Sequence, residues 1–235
     1  MKVSVIIPTL NEEESIGQTI DQIPGSDDQE IMIVDGLSGD RTREIARSKG
    51  ARVIEEKRKG YGRAYKTGFK AAKGDIIVTL DGDTTYPAEL IPELVSQLED
   101  EGLDFMSCDR IKKAEKGAFT TTHAFGNWVL KVTMNILFGM NLNDSQSGMW
   151  VFKRKALEHL TITSDGMPMS EEIKIEAFRN GRIRTKEVSV PYRVRTGDKA
   201  LNTWKDGLKN ELFLFKKKFR PGSLGPGEDF SSIRS

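Results

Sequence analysis

Cysteine is nearly absent: Cys108 is the single one in 235 residues, and only two histidines accompany it. One thiol excludes an internal disulfide and makes a reducing, intracellular setting the expectation, with Cys108 read as packing rather than as a nucleophile. His123 and His159 lack companions at metal-ligand spacing and read as structural. An excess of one charge is also missing, since 36 basic residues face 35 acidic ones. That removes the global electrostatic case for nucleic acid and leaves any basic surface to local clustering. No uninterrupted apolar run approaches the ~18 residues of a bilayer span. The best stretch, WVLKVTMNILFGM (128–140), is broken by Lys131 and Asn135. The amino-terminal VSVIIP is followed too soon by an acidic cluster to be a signal peptide and reads as a strand. Finally, no glycine-rich turn follows that strand, which counts against a dinucleotide fold. GYGRAY (60–65) comes after the charged EEKRK and reads as a turn capping a helix.

What is present is an alternation. Short β-branched runs (KVSVIIP, EIMIVD, ARVIEE, DIIVTLD) are separated by helical patterns over the first 110 residues. This βαβ series predicts an α/β domain with a mostly parallel sheet covered by helices on both faces. The length suits one core, so the expected organisation is one domain over 1–200, a basic amphipathic helix over 201–220 and a disordered tail over 221–235, where glycine, proline and serine dominate. The second half adds a long amphipathic pattern from about Thr122 to Gly139. After it come a strand at MWVFKR, a helix around SEEIKIEAFRNG and a strand in RIRTKEVSVPYRV.

In open sheets of this kind ligands bind beyond the carboxyl ends of the strands. Three of those ends are acidic or polar: PTLNEEE after the first strand, VDGLSGD after the second and DGDTTYP after the fourth. They are expected to meet. In the last, Gly82 lets the backbone turn so that Asp81 and Asp83 can face one ion, and hard oxygen ligands of this type suit Mg²⁺ or Mn²⁺ with diphosphate oxygens and water completing the shell. The other reading of the pair is simple capping of the following helix.

Taken in order, VSVIIPTLNEEESI, IMIVDGLSGDRT, KGYGRAYKTGF and VTLDGDTTYPAEL resemble the successive signatures of inverting family 2 glycosyltransferases with the Rossmann-like GT-A fold. DSQSGMWVFKR and YRVRTGDKALN are similar to the branch that uses dolichyl or other polyprenyl phosphates, especially archaeal dolichyl-phosphate hexosyltransferases. The resemblance spans roughly residues 2–215. It implies that Pro8, Leu10, Asn11 and Glu12 line a nucleotide pocket, that Asp35 contacts the base or ribose, and that Asp81 and above all Asp83 hold the metal. Asp40 reads as a helix cap. Arg110 matches a basic position near the donor, and Arg195, Gly197 and Lys199 match a basic loop that holds phosphate groups. Glu172 stands where such enzymes often carry an acidic catalytic residue, a general base if the acceptor is a hydroxyl, while Glu171 is explained by the helix dipole. Thr85 takes the place of a glutamine common in mannose-transferring members, which leaves a third protein ligand open.

The implied reaction moves a hexose or N-acetylhexosamine from a UDP- or GDP-sugar to a polyprenyl phosphate with inversion, an early step of protein glycosylation. A saccharide hydroxyl as acceptor and a non-catalytic nucleotide-binding subunit are the alternatives. Trp204, Leu208, Leu212, Phe215 and Phe219 form one stripe of a helix rich in lysine, suited either to an anionic membrane surface or to packing on the domain. The segment 128–140 is a second candidate for membrane contact. A peripheral position at the cytoplasmic face of a membrane is therefore expected, and a homo-oligomer is left open.

Overall fold

The computed structural model describes residues 2–196 and 203–230. Strands β1 (Val3–Thr9), β2 (Gln29–Asp35), β3 (Arg52–Glu55), β4 (Ile76–Thr79), β5 (Phe105–Asp109), β6 (Trp150–Lys153) and β7 (Thr185–Ser189) form one sheet in the order β3-β2-β1-β4-β6-β5-β7. All neighbours run parallel except β6, which is antiparallel to both β4 and β5. The helices are α1 (Ile16–Asp21), α2 (Thr42–Ser48), α3 (Tyr61–Ala71), α4 (Ile91–Asp100), α5 (Thr121–Phe138), α6 (Met169–Arg179) and α7 (Thr203–Phe219). This is the mostly parallel, two-sided α/β architecture expected from the alternation.

Strand side chains alternate between two cores, as a period of two requires. Val5, Ile7 and Val78 face Ile16 and Ile20 of α1 and Ile91, Leu94 and Leu98 of α4. Ile6, Ile77 and Phe152 face Tyr65 and Phe69 of α3 and Ile173 of α6. A third cluster lies outside the sheet layers: Leu130, Met134 and Phe138 of α5 pack on Ile175 of α6 and Leu214 of α7. The antiparallel β6 follows directly from the DSQSG loop, so the chain re-enters the sheet from the end where the acidic loops lie.

Helix boundaries have local causes. Thr120 caps α5, its hydroxyl accepting from the His123 N–H, and Gly139 ends it with a left-handed φ of 63°. At the start of α3, Gly60 has φ 136°, and a Cβ on Gly62 would stand 2.6 Å from the Ser164 carbonyl. The two glycines therefore let the 164–166 loop lie against α3.

The expected disorder over 221–235 does not hold for 221–230. Pro221–Leu224 form a 3₁₀ turn, the Glu228 N–H donates to the Ile162 carbonyl at 2.8 Å, and Phe230 is only 3% exposed against Phe69. The Glu228 carboxylate receives Arg63 at 3.1 Å and Lys70 at 2.5 Å, with Lys66 3.6 Å away. Composition missed this because two anchors suffice: one carboxylate for a cationic face of α3, and one ring for an apolar seat. Residues 231–235 lie outside the described residues.

Candidate active site

The three acidic loops meet at the carboxyl ends of β1, β2 and β4. Neighbouring registers bring Thr9 beside Asp35, and the Thr9 hydroxyl donates to Asp35 at 3.0 Å. Loop one then binds loop two: the Asn11 N–H donates to Ser38 Oγ, the Gly39 N–H to Asn11 Oδ1 and the Glu12 N–H to Thr42 Oγ1. Thr19 joins the third loop, its hydroxyl donating to the Gly82 carbonyl and accepting from the Thr84 N–H. Each loop contains one non-glycine residue with left-handed φ, Asn11 at 56°, Leu37 at 65° and Thr84 at 65°. Such backbones cost of order 1–3 kcal/mol each and persist only where surroundings fix them.

Asp83 is buried and fully engaged. Oδ1 accepts from the Thr85 hydroxyl at 2.6 Å and the Thr85 N–H at 3.2 Å, and Oδ2 accepts from Arg195 Nη1 at 3.0 Å. Thr85 therefore orients the carboxylate. The other arm of Arg195 reaches Glu12 Oε1 at 2.5 Å, so one guanidinium ties the first loop to the third. Burial raises the pKa of Glu12, against the pull of Arg195.

Asp81 borders the cavity and accepts from the Tyr61 hydroxyl at 3.2 Å. Burial, and then repulsion from Asp83, push its carboxyl up to about 7. A Cβ on Gly148 would come within 3.2 Å of Asp81 Oδ1 and 2.3 Å of the Tyr61 oxygen, so the approach of these groups requires glycine there. No three His, Cys, Asp or Glu side chains converge as a metal cage among the described residues. Asp81 and Asp83, two carboxylates lining one cavity, are hard oxygen ligands of the kind that fit a divalent cation.

The same cavity is lined by Arg110, Phe119, Gln146, Tyr192 and Asn210. Arg110 is buried and forms a two-point ion pair with Asp144, Nε to Oδ2 at 2.7 Å and Nη2 to Oδ1 at 2.9 Å. The guanidinium also lies 5.5 Å from the Phe119 ring centre and 5.2 Å from that of Tyr192. Despite burial, the Arg110 charge holds the Asp144 carboxyl well below the ordinary range. Lys174 donates to the Asp144 carbonyl, and burial lowers its ammonium to about 8. The remaining wall comes from α5 and α7, where His123, Gly126, Asn127 and Leu130 follow helical spacing and Asp206, Gly207 and Asn210 stand opposite.

Of the residues expected from sequence, Asp81, Asp83, Arg110 and Arg195 share this cavity, with Glu12 bound to Arg195. Pro8 is half-buried at the end of β1, and Leu10 and Asn11 are exposed on the loop after it. Asp35 is fully buried and accepts from the Thr9 hydroxyl and from the Ser38 N–H and hydroxyl, which braces the first loop against the second. Asp40 is not the N-cap of α2, a position held by Arg41; one residue earlier, its carboxylate accepts from the Thr42 N–H and from the Glu13 N–H, which ties the first loop to the start of the helix. Glu172 is not in the cavity. Its carboxylate accepts from the Thr163 N–H and hydroxyl, the Ser164 N–H and Lys217, which makes it a clamp between α6, the 163–164 loop and α7. Successive residues on a helix point about 100° apart, so Glu171 rather than Glu172 turns toward Gln146. Gly197 and Lys199 lie outside the described residues, as does the side chain of Trp204. Sequence reasoning missed Tyr61, Asp144, Gln146, Gly148 and Asn210. The DSQSG segment offered a signal in its run of polar residues ending in glycine before a strand.

Comparison with known proteins bears on the family and the fold. The glycosyl transferase family 2 model matches residues 4–161. A low-salt glycan biosynthesis hexosyltransferase of Haloferax volcanii is 35% identical over 239 residues, covering 98% of this chain, which spans 57% of that relative's length. A dolichyl-phosphate hexose transferase of the same organism is 35% identical over 207 residues, covering 87% of this chain and 89% of the relative. Among solved structures, glucosyl-3-phosphoglycerate synthase from Mycobacterium tuberculosis, crystallised with Mn²⁺, UDP and glucosyl-3-phosphoglycerate, superposes with a TM-score of 0.74 at 24% identity over 92% of this chain and 79% of that one. The last likeness concerns the fold, which is the GT-A arrangement of sheet and helices. With the acidic loops assembled as described and the family model covering most of the sheet, the chain belongs to glycosyl transferase family 2.

Proposed function

We propose that this chain transfers a hexose or N-acetylhexosamine from a nucleotide diphosphate sugar to dolichyl or another polyprenyl phosphate, with inversion, in an early step of protein glycosylation. The observation that carries the reading is the single cavity in which Asp81, Asp83, Arg110 and Arg195 converge under a wall made by α5 and α7. The outward faces of those two helices are apolar: Phe125, Trp128 and Ile136 on α5 and Leu208, Leu212, Phe215 and Phe219 on α7 are all exposed. Charged chemistry thus lies directly beneath a surface suited to a lipid-linked acceptor. The hexosyltransferase names of the Haloferax relatives point the same way.

In this reading Asp83 and Asp81 hold Mg²⁺ or Mn²⁺, the ions and UDP found in related-fold crystals being consistent with that. When bound, the ion supplies a positive counter-charge to the diphosphate leaving group. Arg195, already oriented by Asp83 and Glu12, swings or shares its bidentate fork with phosphate oxygens as donor binds. Arg110 stays fixed on Asp144 as a guanidinium in the cavity wall. A phosphomonoester is mostly ionised near pH 7, its second pKa being about 6, so it attacks the anomeric carbon without a general base. The placement of Glu172 as a clamp outside the cavity agrees with an acceptor of that kind and disfavours a saccharide hydroxyl, which would need a base.

Purified protein supplied with UDP- or GDP-sugars, Mg²⁺ or Mn²⁺ and a short polyprenyl phosphate should yield a lipid-linked sugar detectable by mass. Absence of product with every donor would end this reading.

A further inference from the structure

Asn210 sits on α7, is 3% exposed, and lines the cavity. Its Nδ2 donates to Gln146 Oε1 at 2.8 Å, whereas its Oδ1 is buried with no hydrogen-bond partner among the described residues. The polarity of that amide is imposed from below. Gln146 Nε2 donates to Glu171 Oε1 at 2.6 Å and to Ser145 Oγ at 3.2 Å. With its NH₂ on Glu171 and Ser145, Gln146 turns its oxygen to Asn210, which answers with its own NH₂. The chain Glu171–Gln146–Asn210 therefore ends, at a residue that lines the cavity together with Gln146, on one buried carbonyl oxygen that has no donor among the described residues.

Leaving a buried carbonyl without a donor is unfavourable, so the site gains when a ligand donates to it. A phosphate dianion has only acceptors and is repelled; the arginines in the same cavity, Arg110 and Arg195, are what suit it. The prenyl chain of a lipid acceptor has nothing to donate. Among the substrates of the proposed reaction, hydroxyls are carried by the transferred sugar and by the ribose of the nucleotide, and the bare-nucleotide arm of the test below separates the two.

We infer that Asn210 is a specificity-determining residue whose Oδ1 accepts a hydrogen bond from one hydroxyl of the transferred sugar, held in that orientation by Gln146 and Glu171. The assignment rests on the nucleotide-sugar reading above. It places sugar recognition on the helix that also bears the exposed apolar face, outside residues 4–161 matched by the family model.

The test is a binding series with the full chain: UDP, GDP, UDP-glucose, GDP-mannose and the single-deoxy analogues of both sugars, against wild type, Asn210→Ala and Asn210→Leu. Alanine is a good helix former and removes atoms that face a cavity, so folding should be retained, and leucine blocks a water from taking the vacated place. Wild type should lose about tenfold in affinity for one deoxy analogue only. Both variants should bind the bare nucleotide within about twofold of wild type, and should bind the parent sugar nucleotide as weakly as that analogue. Gln146→Leu should give the same position-specific loss. Discrimination that persists unchanged in both Asn210 variants would overturn the assignment while leaving the donor reading in place. Wild type that binds no nucleotide sugar would overturn the donor reading itself.

Discussion

Glu171 and Glu172 are neighbours on α6, both fully buried, and the surrounding polar groups give them opposite characters. Four donors converge on Glu172. Glu171 has one donor, from Gln146, and an Oε2 without a partner. Burial raises Glu171 from an ordinary 4.5 to about 8, against Lys174 and Gln146 and with Glu211 pushing the same way. Between those values the folded chain binds a proton that the unfolded chain has released, so stability falls as pH rises through the window and levels off above about 8. Glu171→Gln cannot titrate, and its stability relative to wild type should grow by a few kcal/mol between pH 5 and pH 8, read from urea unfolding at each pH. A difference that stays flat with pH would contradict the burial argument. Glu172→Gln should instead lose about 2 kcal/mol of stability at all neutral pH values, through weakened charge-assisted bonds, while keeping most of its turnover at low temperature. Asp83→Asn should keep its fold and lose at least about 100-fold in kcat/KM. The three variants measured side by side separate clamp, titrating group and active-site carboxylate.

At the scale of elements, α7 shows what periodicity alone leaves open. Its stripe Leu208, Leu212, Phe215 and Phe219 is equally good as a packing face or a membrane face. The structure packs the other side: Asn210, Phe213 and Leu214 are buried and Lys217 pairs with Glu172 and Glu176, leaving the stripe between 45% and 66% exposed. Phe215 and Phe219 are stacked at 6.3 Å on that open face. If the stripe meets lipid, Phe215→Asp with Phe219→Asp should reduce cosedimentation with anionic phosphatidylserine vesicles by about tenfold or more, without lowering the melting temperature. A pair of aspartates that binds vesicles like wild type would exclude this face as the contact. The βαβ series was legible for the reverse reason: alternating runs have one burial solution in a two-sided sheet, and β1 to β4 with α1 to α4 follow it. β6 was legible as a strand, but its antiparallel direction depends on where the chain re-enters the sheet, which no local pattern encodes.

Across the whole molecule, residues 221–230 are part of the structure. Arg63, Lys66 and Lys70 share Glu228, and Asp165 adds a second carboxylate to Arg63 and Lys66. Phe230 closes the core beside Phe69. Ending the chain after Arg220 should therefore lower the free energy of unfolding by about 2–4 kcal/mol, most of it the loss of one buried aromatic side chain, read from urea unfolding. Phe230→Ala in the full chain should reproduce the larger share, and a truncated chain as stable as the intact one would show that this contact contributes nothing.

The sequence by itself determined the α/β class, the order of the first eight elements and the identity of the acidic loops, because these depend on periodicity and on residue type at strand ends. It also singled out Asp81, Asp83, Arg110 and Arg195, which do share one cavity. Only the tertiary structure decided which buried carboxylate faces which partner, that Asp35 and Glu172 brace the fold, and that Asn210 and Gln146 reach the cavity. The physical reason is distance along the chain. Arg195 and Asp83 are separated by 112 residues, and Asn210 and Gln146 by 64. A carboxylate's role is set by donors that arrive from such separations, and periodicity carries no information about them.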